Sequence, residues 1–143
     1  GVGNTILPLL KLNPTMRVWA CDFSDNAVAL MLKDPGFEPA RCTGWVADIT
    51  KDALSEHTGA GEMEYAVLIF VLSAIDPSLF VPTLRNIGAS LKVGGDVLFR
   101  DYGLYDMAQL KMAEPGKHML KDRFYVRGDG TRAYFFDEEG LEG

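Results

Sequence analysis

The order of features in residues 1–24 restricts the fold more than anything else in the chain. Gly1-Val2-Gly3-Asn4-Thr5 is a glycine loop, Thr5-Ile6-Leu7-Pro8-Leu9-Leu10 an apolar run, and Met16-Arg17-Val18-Trp19-Ala20-Cys21 a second one. The stretch closes on Asp22-Phe23-Ser24. Read as backbone, this is a turn, a helix, a β-strand and an acid at the strand's carboxyl end. In an open α/β sheet, ligands sit at the carboxyl ends of the strands, where glycines let the backbone approach a nucleoside cofactor. A carboxylate about 20 residues further on can accept from both ribose hydroxyls. Asp22 stands 19 residues after Gly3.

Spacing separates two kinds of nucleoside. A dinucleotide loop reads G-x-G-x-x-G/A, the last small residue letting helix and strand pack closely. Counted from Gly1 that place is taken by Ile6, which disfavours an NAD-type dehydrogenase. With Gly1 as the second glycine of G-x-G-x-G, the loop fits the S-adenosylmethionine pattern, in which no pyrophosphate is seated. An ordinary turn at Gly1 and Gly3 is the competing reading, and Asp22 weighs against it.

Downstream, strands and helices alternate. A helix is expected over about residues 5–12 with Asn4 as its cap, and a strand over Arg17–Cys21. Ser24 caps a helix Asp25–Lys33 whose apolar face is Ala27, Val28, Leu30 and Met31. A strand near Thr43–Ala47 ends on Asp48-Ile49. Asp48 is either a ligand or the cap of a short helix Lys51–His57. Tyr65–Leu72 is the most apolar run and predicts a strand buried on both faces. Ser73-Ala74-Ile75 then lines the crevice. Asp76-Pro77-Ser78 starts a helix ending near Leu91, and Lys92-Val93-Gly94-Gly95 is a turn feeding the strand Asp96–Arg100. Such alternation implies a doubly wound, mostly parallel sheet.

From Asp101 the pattern changes. Asp101–Asp106 is an aromatic-acid loop, Met107–Met112 is weakly helical, and residues 124–136 form a hairpin around Asp129-Gly130. Asp137-Glu138-Glu139 opens another helix. Ser73 lies in no G-x-S-x-G elbow, which disfavours hydrolase chemistry.

At 143 residues and 48% hydrophobic, the chain has material for one domain over 1–143. No apolar run is long enough for a membrane span, so no membrane partner is expected. Cys21 and Cys42 make no C-x-x-C pair and read as reduced, buried thiols; His57 and His118 lack ligand spacing, and no metal is expected. The net charge of −6 argues against nucleic-acid binding by the whole surface. Residues 100–132, however, hold 7 Lys and Arg against 5 Asp and Glu, interleaved with Phe124 and Tyr125. Tyr134 and Phe135 follow directly. A local RNA contact or a solvated face fits that distribution.

These residues resemble a known family, the methyltransferase-like tRNA 3-methylcytidine methyltransferases, which are class I S-adenosylmethionine enzymes with a Rossmann-like sheet. The similarity is carried by Gly1-Val2-Gly3-Asn4 with Pro8-Leu9-Leu10, by Ala20-Cys21-Asp22-Phe23-Ser24 and by Leu68–Ile75. It continues in Val97–Asp106, which includes Phe99-Arg100-Asp101-Tyr102-Gly103, in Phe124–Arg132 and in Tyr134-Phe135-Phe136. It covers nearly the whole chain. The glycine loop is generic to methyltransferases, whereas the segments around Asp101 and Asp129 are specific to this family.

The resemblance implies cofactor contacts at Gly1 and Gly3, at Asp22 (ribose), at Asp48 and Ile49 (adenine) and at Ile69, with Phe23 flanking the adenine ring or serving as ordinary core. It implies tRNA as substrate and, in some relatives, seryl-tRNA synthetase or another auxiliary protein. If cytosine N3 is the acceptor, its lone pair needs no general base, so catalysis rests on orientation. The product base is cationic, and Asp101, Tyr102 and Tyr105 are the candidates to stabilise it. Arg100, Arg127 and Arg132 are candidates for RNA contacts, with salt bridges to Asp101, Asp106 and Asp129 as the competing role. The family's pattern also has a central strand before Gly1 and closing strands after residue 143, so a segment truncated at both ends is expected, one that does not work alone; the expected localisation is cytoplasmic, with nucleus and mitochondrion left open. A catalytically silent module on the same fold, or a methyltransferase acting on another RNA or small molecule, is the alternative.

Overall fold

The computed structural model describes residues 1–112 and 119–137. Its first half alternates helix and strand: α1 (Ile6–Leu12), β1 (Val18–Asp22), α2 (Asp25–Lys33), β2 (Cys42–Val46) and a short α3 (Ser55–Thr58). Next come β3 (Met63–Ile69), 3-10 turns at Leu72–Ala74 and Pro77–Leu79, α4 (Phe80–Gly88) and β4 (Leu91–Arg100). After α5 (Met107–Met112), three short strands follow: β5 (Met119–Lys121), β6 (Phe124–Val126) and β7 (Arg132–Tyr134).

β1 pairs in parallel with β2, and β3 in parallel with β4. The two pairs are not hydrogen-bonded to each other. They are joined by side chains, because Ala47 and Leu54 pack in one core with Leu68 and Ile87, flanked by Cys21, Trp45 and Phe99. β5, β6 and β7 form a separate antiparallel sheet.

Local chemistry explains most boundaries. The Ser24 hydroxyl accepts from the Ala27 N–H and starts α2, as expected of an N-cap. Val28 and Met31 are the buried members of that helix, while Leu30 faces solvent. α2 lies close on β2 because Gly44 has no side chain: a Cβ there would stand 2.5 Å from Met31 Cε. α1 ends on Arg41, whose guanidinium donates to the carbonyls of Leu10, Asn13 and Met16 while Glu38 accepts from its other edge. That arrangement supplies donors to carbonyls a helix end leaves unpaired.

Several sequence expectations are corrected. Asn4 does not cap α1; Thr5 occupies the cap position without a side-chain bond, and the Leu7 N–H is taken by the Gly3 carbonyl. The helix expected over 51–57 is shorter and later, because the Asp48 carboxylate folds the preceding residues into a turn. The helix expected to run from Asp76 to Leu91 breaks into a 3-10 turn and α4, ending at Gly88, and Leu91 already belongs to β4. Lys92–Gly95 bulges within β4, where the register jumps from Met63↔Leu91 to Tyr65↔Asp96. β3 stops at Ile69 rather than Leu72 and is covered on one face only. Leu68 is buried, whereas Tyr65 and Val67 on the other face are 59% and 51% exposed, because no described element lies over them. The hairpin forms around Asp129-Gly130 as expected, with β5 added to it as a third strand. The helix expected from Asp137-Glu138-Glu139 lies outside the described residues beyond Asp137.

Candidate functional site

The carboxyl ends of β1, β2, β3 and β4 carry most of the residues singled out by sequence. At the end of β1, Asp22 accepts from the Ser24 N–H at 2.8 Å through Oδ1, and its Oδ2 lies against the Gly1 nitrogen. The Ser24 N–H bond fixes the carboxylate beside the glycine loop, where an acceptor of ribose hydroxyls is needed. The loop turns at Gly3 with φ +94°, and a Cβ there would meet the Leu7 side chain at 2.9 Å. Only glycine combines that backbone with that approach. Phe23 is 76% exposed among the described residues.

At the end of β2, Asp48 Oδ1 accepts from the Thr50 N–H and hydroxyl, and Oδ2 pairs with Lys51 Nζ at 2.9 Å. The Thr50 hydroxyl and then Lys51 lower its pKa. In this conformation the carboxylate closes the turn through Thr50 and caps no helix, since α3 begins later with Leu54 at its cap position. The turn behind it is held by Asn86 of α4, a residue the sequence did not single out. Its Nδ2 donates to the carbonyls of Ile49 and Asp52, and its Oδ1 accepts from the Leu54 N–H. Only the fold brings it there, across 37 residues from Ile49. Ile49 flanks the common core, and Ile69 is exposed at the end of β3.

At the end of β4, both Asp101 oxygens accept backbone N–H groups, Oδ2 from Ser73 and Oδ1 from Tyr102, each at 2.9 Å. This carboxylate straps the turn after β3 to the loop after β4. Beside it runs an aromatic row. The Phe70 and Tyr102 rings meet at 4.8 Å between centroids, tilted by 36°, and Tyr102 lies 5.6 Å from Phe135. Tyr102 also flanks the core of Tyr125, Ala133 and Phe135. Tyr105 stands apart: its backbone is left-handed at φ +64° and the residue is 83% exposed, so the structure does not bring it onto Tyr102.

The three arginines share one arrangement. Arg100 lies over Phe70 at 5.8 Å, Arg127 over Tyr102 at 5.1 Å and Arg132 over Phe124 at 6.0 Å. The charge of Arg127 reaches Asp129, whose carboxyl is lowered first by the Thr131 hydroxyl and N–H and then, more weakly, by that guanidinium. The Arg127 Nε is buried without a hydrogen-bond partner. Arg100 and Arg127 thus flank the Phe70–Tyr102 ring pair, while Arg132 sits further out on the hairpin.

No three His, Cys, Asp or Glu side chains come together as a metal site among the described residues. Cys21 and Cys42 are free, and burial pushes both thiols up, so they stay protonated near neutrality. No described helix is long and apolar enough to cross a membrane.

Comparison with known proteins places this geometry. No family model matches the chain. The human protein named tRNA N(3)-cytidine methyltransferase METTL6 is 45% identical over 141 residues, 99% of this chain and 49% of that protein. The Drosophila melanogaster tRNA N(3)-methylcytidine methyltransferase Mettl2 is 47% identical over 145 residues, 100% of this chain and 44% of that protein. The chain thus spans about half the length, or less, of the curated relatives it matches. Among solved structures, a SAM-dependent methyltransferase from Methanosarcina mazei superposes with a TM-score of 0.76 at 16% identity, covering 99% of this chain and 71% of that one. A Pyrococcus horikoshii protein superposes at 0.71 and 15% identity, covering 98% of this chain and 66% of that one. At such identities the likeness is one of fold: the two parallel pairs and their helices are those of the doubly wound methyltransferase fold.

Proposed function

Because the chain is homologous over its whole length to part of the tRNA N(3)-cytidine methyltransferases, we propose that the protein containing it transfers a methyl group from S-adenosylmethionine to N3 of cytidine in tRNA. The observation that carries this reading is the 45–47% identity over 99% or more of the chain to proteins so named. The geometry fits the cofactor. The left-handed turn at Gly3 leaves its backbone bare, and the Asp22 carboxylate stands beside it at the end of β1. In this reading Gly1 and Gly3 approach the cofactor, Asp22 accepts from its ribose hydroxyls, Asp48 and Ile49 meet the adenine with Phe23 flanking the ring, and Ile69 forms part of the cofactor wall.

When bound, the cofactor supplies a methyl group on a sulfonium sulfur, which leaves with the electron pair of the broken carbon–sulfur bond. Cytosine N3 offers a lone pair and carries no proton in the neutral base, so no residue of the chain has to remove one. The task of the chain is orientation and stabilisation of the positive charge that develops on the base. Asp101 and Tyr102 stand where they can do this. Asp101 keeps lone pairs beyond its two backbone bonds, and Tyr102 presents a π face. Tyr105, exposed and apart, takes part only through movement of its loop. N3 is on the pairing edge, so the base has to leave any helix to be methylated. Arg127 and Arg132 are the proposed contacts to the RNA backbone.

The test uses the full-length protein with total tRNA and S-adenosylmethionine, with and without seryl-tRNA synthetase, followed by digestion and nucleoside mass spectrometry. A 3-methylcytidine peak supports the reading. A different methylated nucleoside keeps the cofactor but overturns the acceptor, and cofactor binding with no methylation under either condition favours a silent module.

A further inference from the structure

Phe70 occupies a backbone conformation that its residue type disfavours. Its φ is +54°, in the left-handed region, at the point where β3 ends. Only glycine enters that region without a steric penalty, and such residues persist where surrounding structure holds them, often at functional sites. Here the holding contacts are on the page. The Phe70 N–H donates to the Arg100 carbonyl at 2.9 Å, and the Asp101 carboxylate grips the Ser73 N–H just beyond. The strain does not serve to bury the ring, because Phe70 remains 44% exposed. It aims the ring instead. One neighbour along the chain is Ile69, on the proposed cofactor side; across space the ring lies tilted against Tyr102, next to Asp101. The planar guanidinium of Arg100 lies over it, which marks a face able to receive a flat, delocalised cation.

We propose that Phe70 is the stacking platform for the acceptor nucleobase, a pyrimidine that is flat on arrival and cationic once methylated. This rests on the methyltransferase reading above. The base takes the position over the ring that Arg100 holds here, and the negative π face of Phe70 stabilises the charge as it develops, which a platform made of an aliphatic side chain cannot do. Left-handed backbone after β3 is what turns the ring out of the core and into the crevice.

The experiment compares Phe70→Gly, Phe70→Leu and Phe70→Tyr in the full-length protein. Thermal unfolding, S-adenosylmethionine affinity by calorimetry, and kcat and KM for tRNA are read for each. Glycine relieves the strained φ, so Phe70→Gly unfolds no lower than wild type and binds cofactor within about twofold of it. Its kcat/KM for tRNA falls by about tenfold or more, the size expected for losing one base–aromatic stack. Phe70→Leu shows the same loss with the bulk kept, and Phe70→Tyr restores activity to within about threefold. Wild-type kcat/KM in Phe70→Gly or in Phe70→Leu overturns the platform while leaving the methyltransferase reading intact. Parallel loss of cofactor affinity in all three variants also overturns it, assigning the ring to the cofactor side. A wild-type protein that makes no 3-methylcytidine overturns both readings together.

Discussion

The candidate site residues around β1 and β2 and those around β6 and β7 are held by different means. In the first, carboxylates are fixed by nearby donors: Asp22 by Ser24, and Asp48 by Thr50 and Lys51. In the second, guanidinium groups lie over rings, as Arg127 does over Tyr102 and Arg132 over Phe124. A carboxylate held by backbone N–H groups is rigid and desolvated on one side, which suits recognition of a small ligand with fixed hydroxyls. An arginine lying on a ring makes few directional bonds and can slide off to a phosphate at little cost. On the proposed reading, the contrast is that of a site built to grip and a surface built to exchange partners.

That contrast is broken most severely at Asp22. Asp22→Ala removes a charged acceptor of two hydroxyls, each such bond contributing about 1.5–3 kcal/mol, so cofactor affinity falls by about 100-fold or more in calorimetry. Affinity equal to wild type sinks the ribose assignment. Arg41→Met comes next. It deletes the bonds that end α1 and costs about 2–4 kcal/mol in denaturant unfolding, a loss located in the region of the glycine loop. Hydrogen exchange then speeds up in α1 and β2 before it does in β6 and β7; uniform acceleration shows that the two regions unfold as one.

Arg127→Lys keeps the charge but loses the flat stack on Tyr102. The expected cost is about 0.5–1 kcal/mol in stability, with a several-fold rise in KM for tRNA and unchanged cofactor affinity. A change in cofactor affinity instead shows that the regions are not separate in function. The smallest effect is at Asp76, in the turn before α4, which pairs with Lys121 of β5 at 3.1 Å. Its carboxyl is held down to about 2 from 3.8, first by the Ser78 hydroxyl and N–H, then by Lys121. A lowered folded-state pKa stabilises the fold above the unfolded value, and that contribution is lost as pH falls from about 4 towards 2. The stability gap between wild type and Asp76→Asn is therefore constant above about pH 4 and closes below it. A gap that persists at pH 2 removes the carboxylate from the account.

The parts of this molecule that short-range chemistry dictates were legible from sequence. Ser24 before an amphipathic run gives α2, Asp22 falls at a strand end, and Asp129-Gly130 gives the turn between β6 and β7. What escaped the sequence depends on partners far along the chain. A run such as Tyr65–Leu72 reports its apolar content, not which of the described elements cover it, so the sequence did not show that only one face of β3 is covered by them. Lys92–Gly95 carries turn residues, yet pairing on both sides keeps it within β4 as a bulge. Asn86 and Arg41 look like ordinary polar residues until the fold sets them against the turn at Asp48–Leu54 and the end of α1. Phe70 in a left-handed backbone carries no local signal at all, since its residue type argues against that conformation.

The most direct measurement pairs two quantities in two variants of the full-length protein. S-adenosylmethionine affinity and 3-methylcytidine formation are determined for Asp22→Ala and for Tyr102→Ala. The account predicts that Asp22→Ala loses both, whereas Tyr102→Ala binds cofactor within about twofold of wild type and loses most of its methyl transfer. Equal loss of cofactor affinity in the two variants contradicts the division of the site into a gripping half and an accepting half.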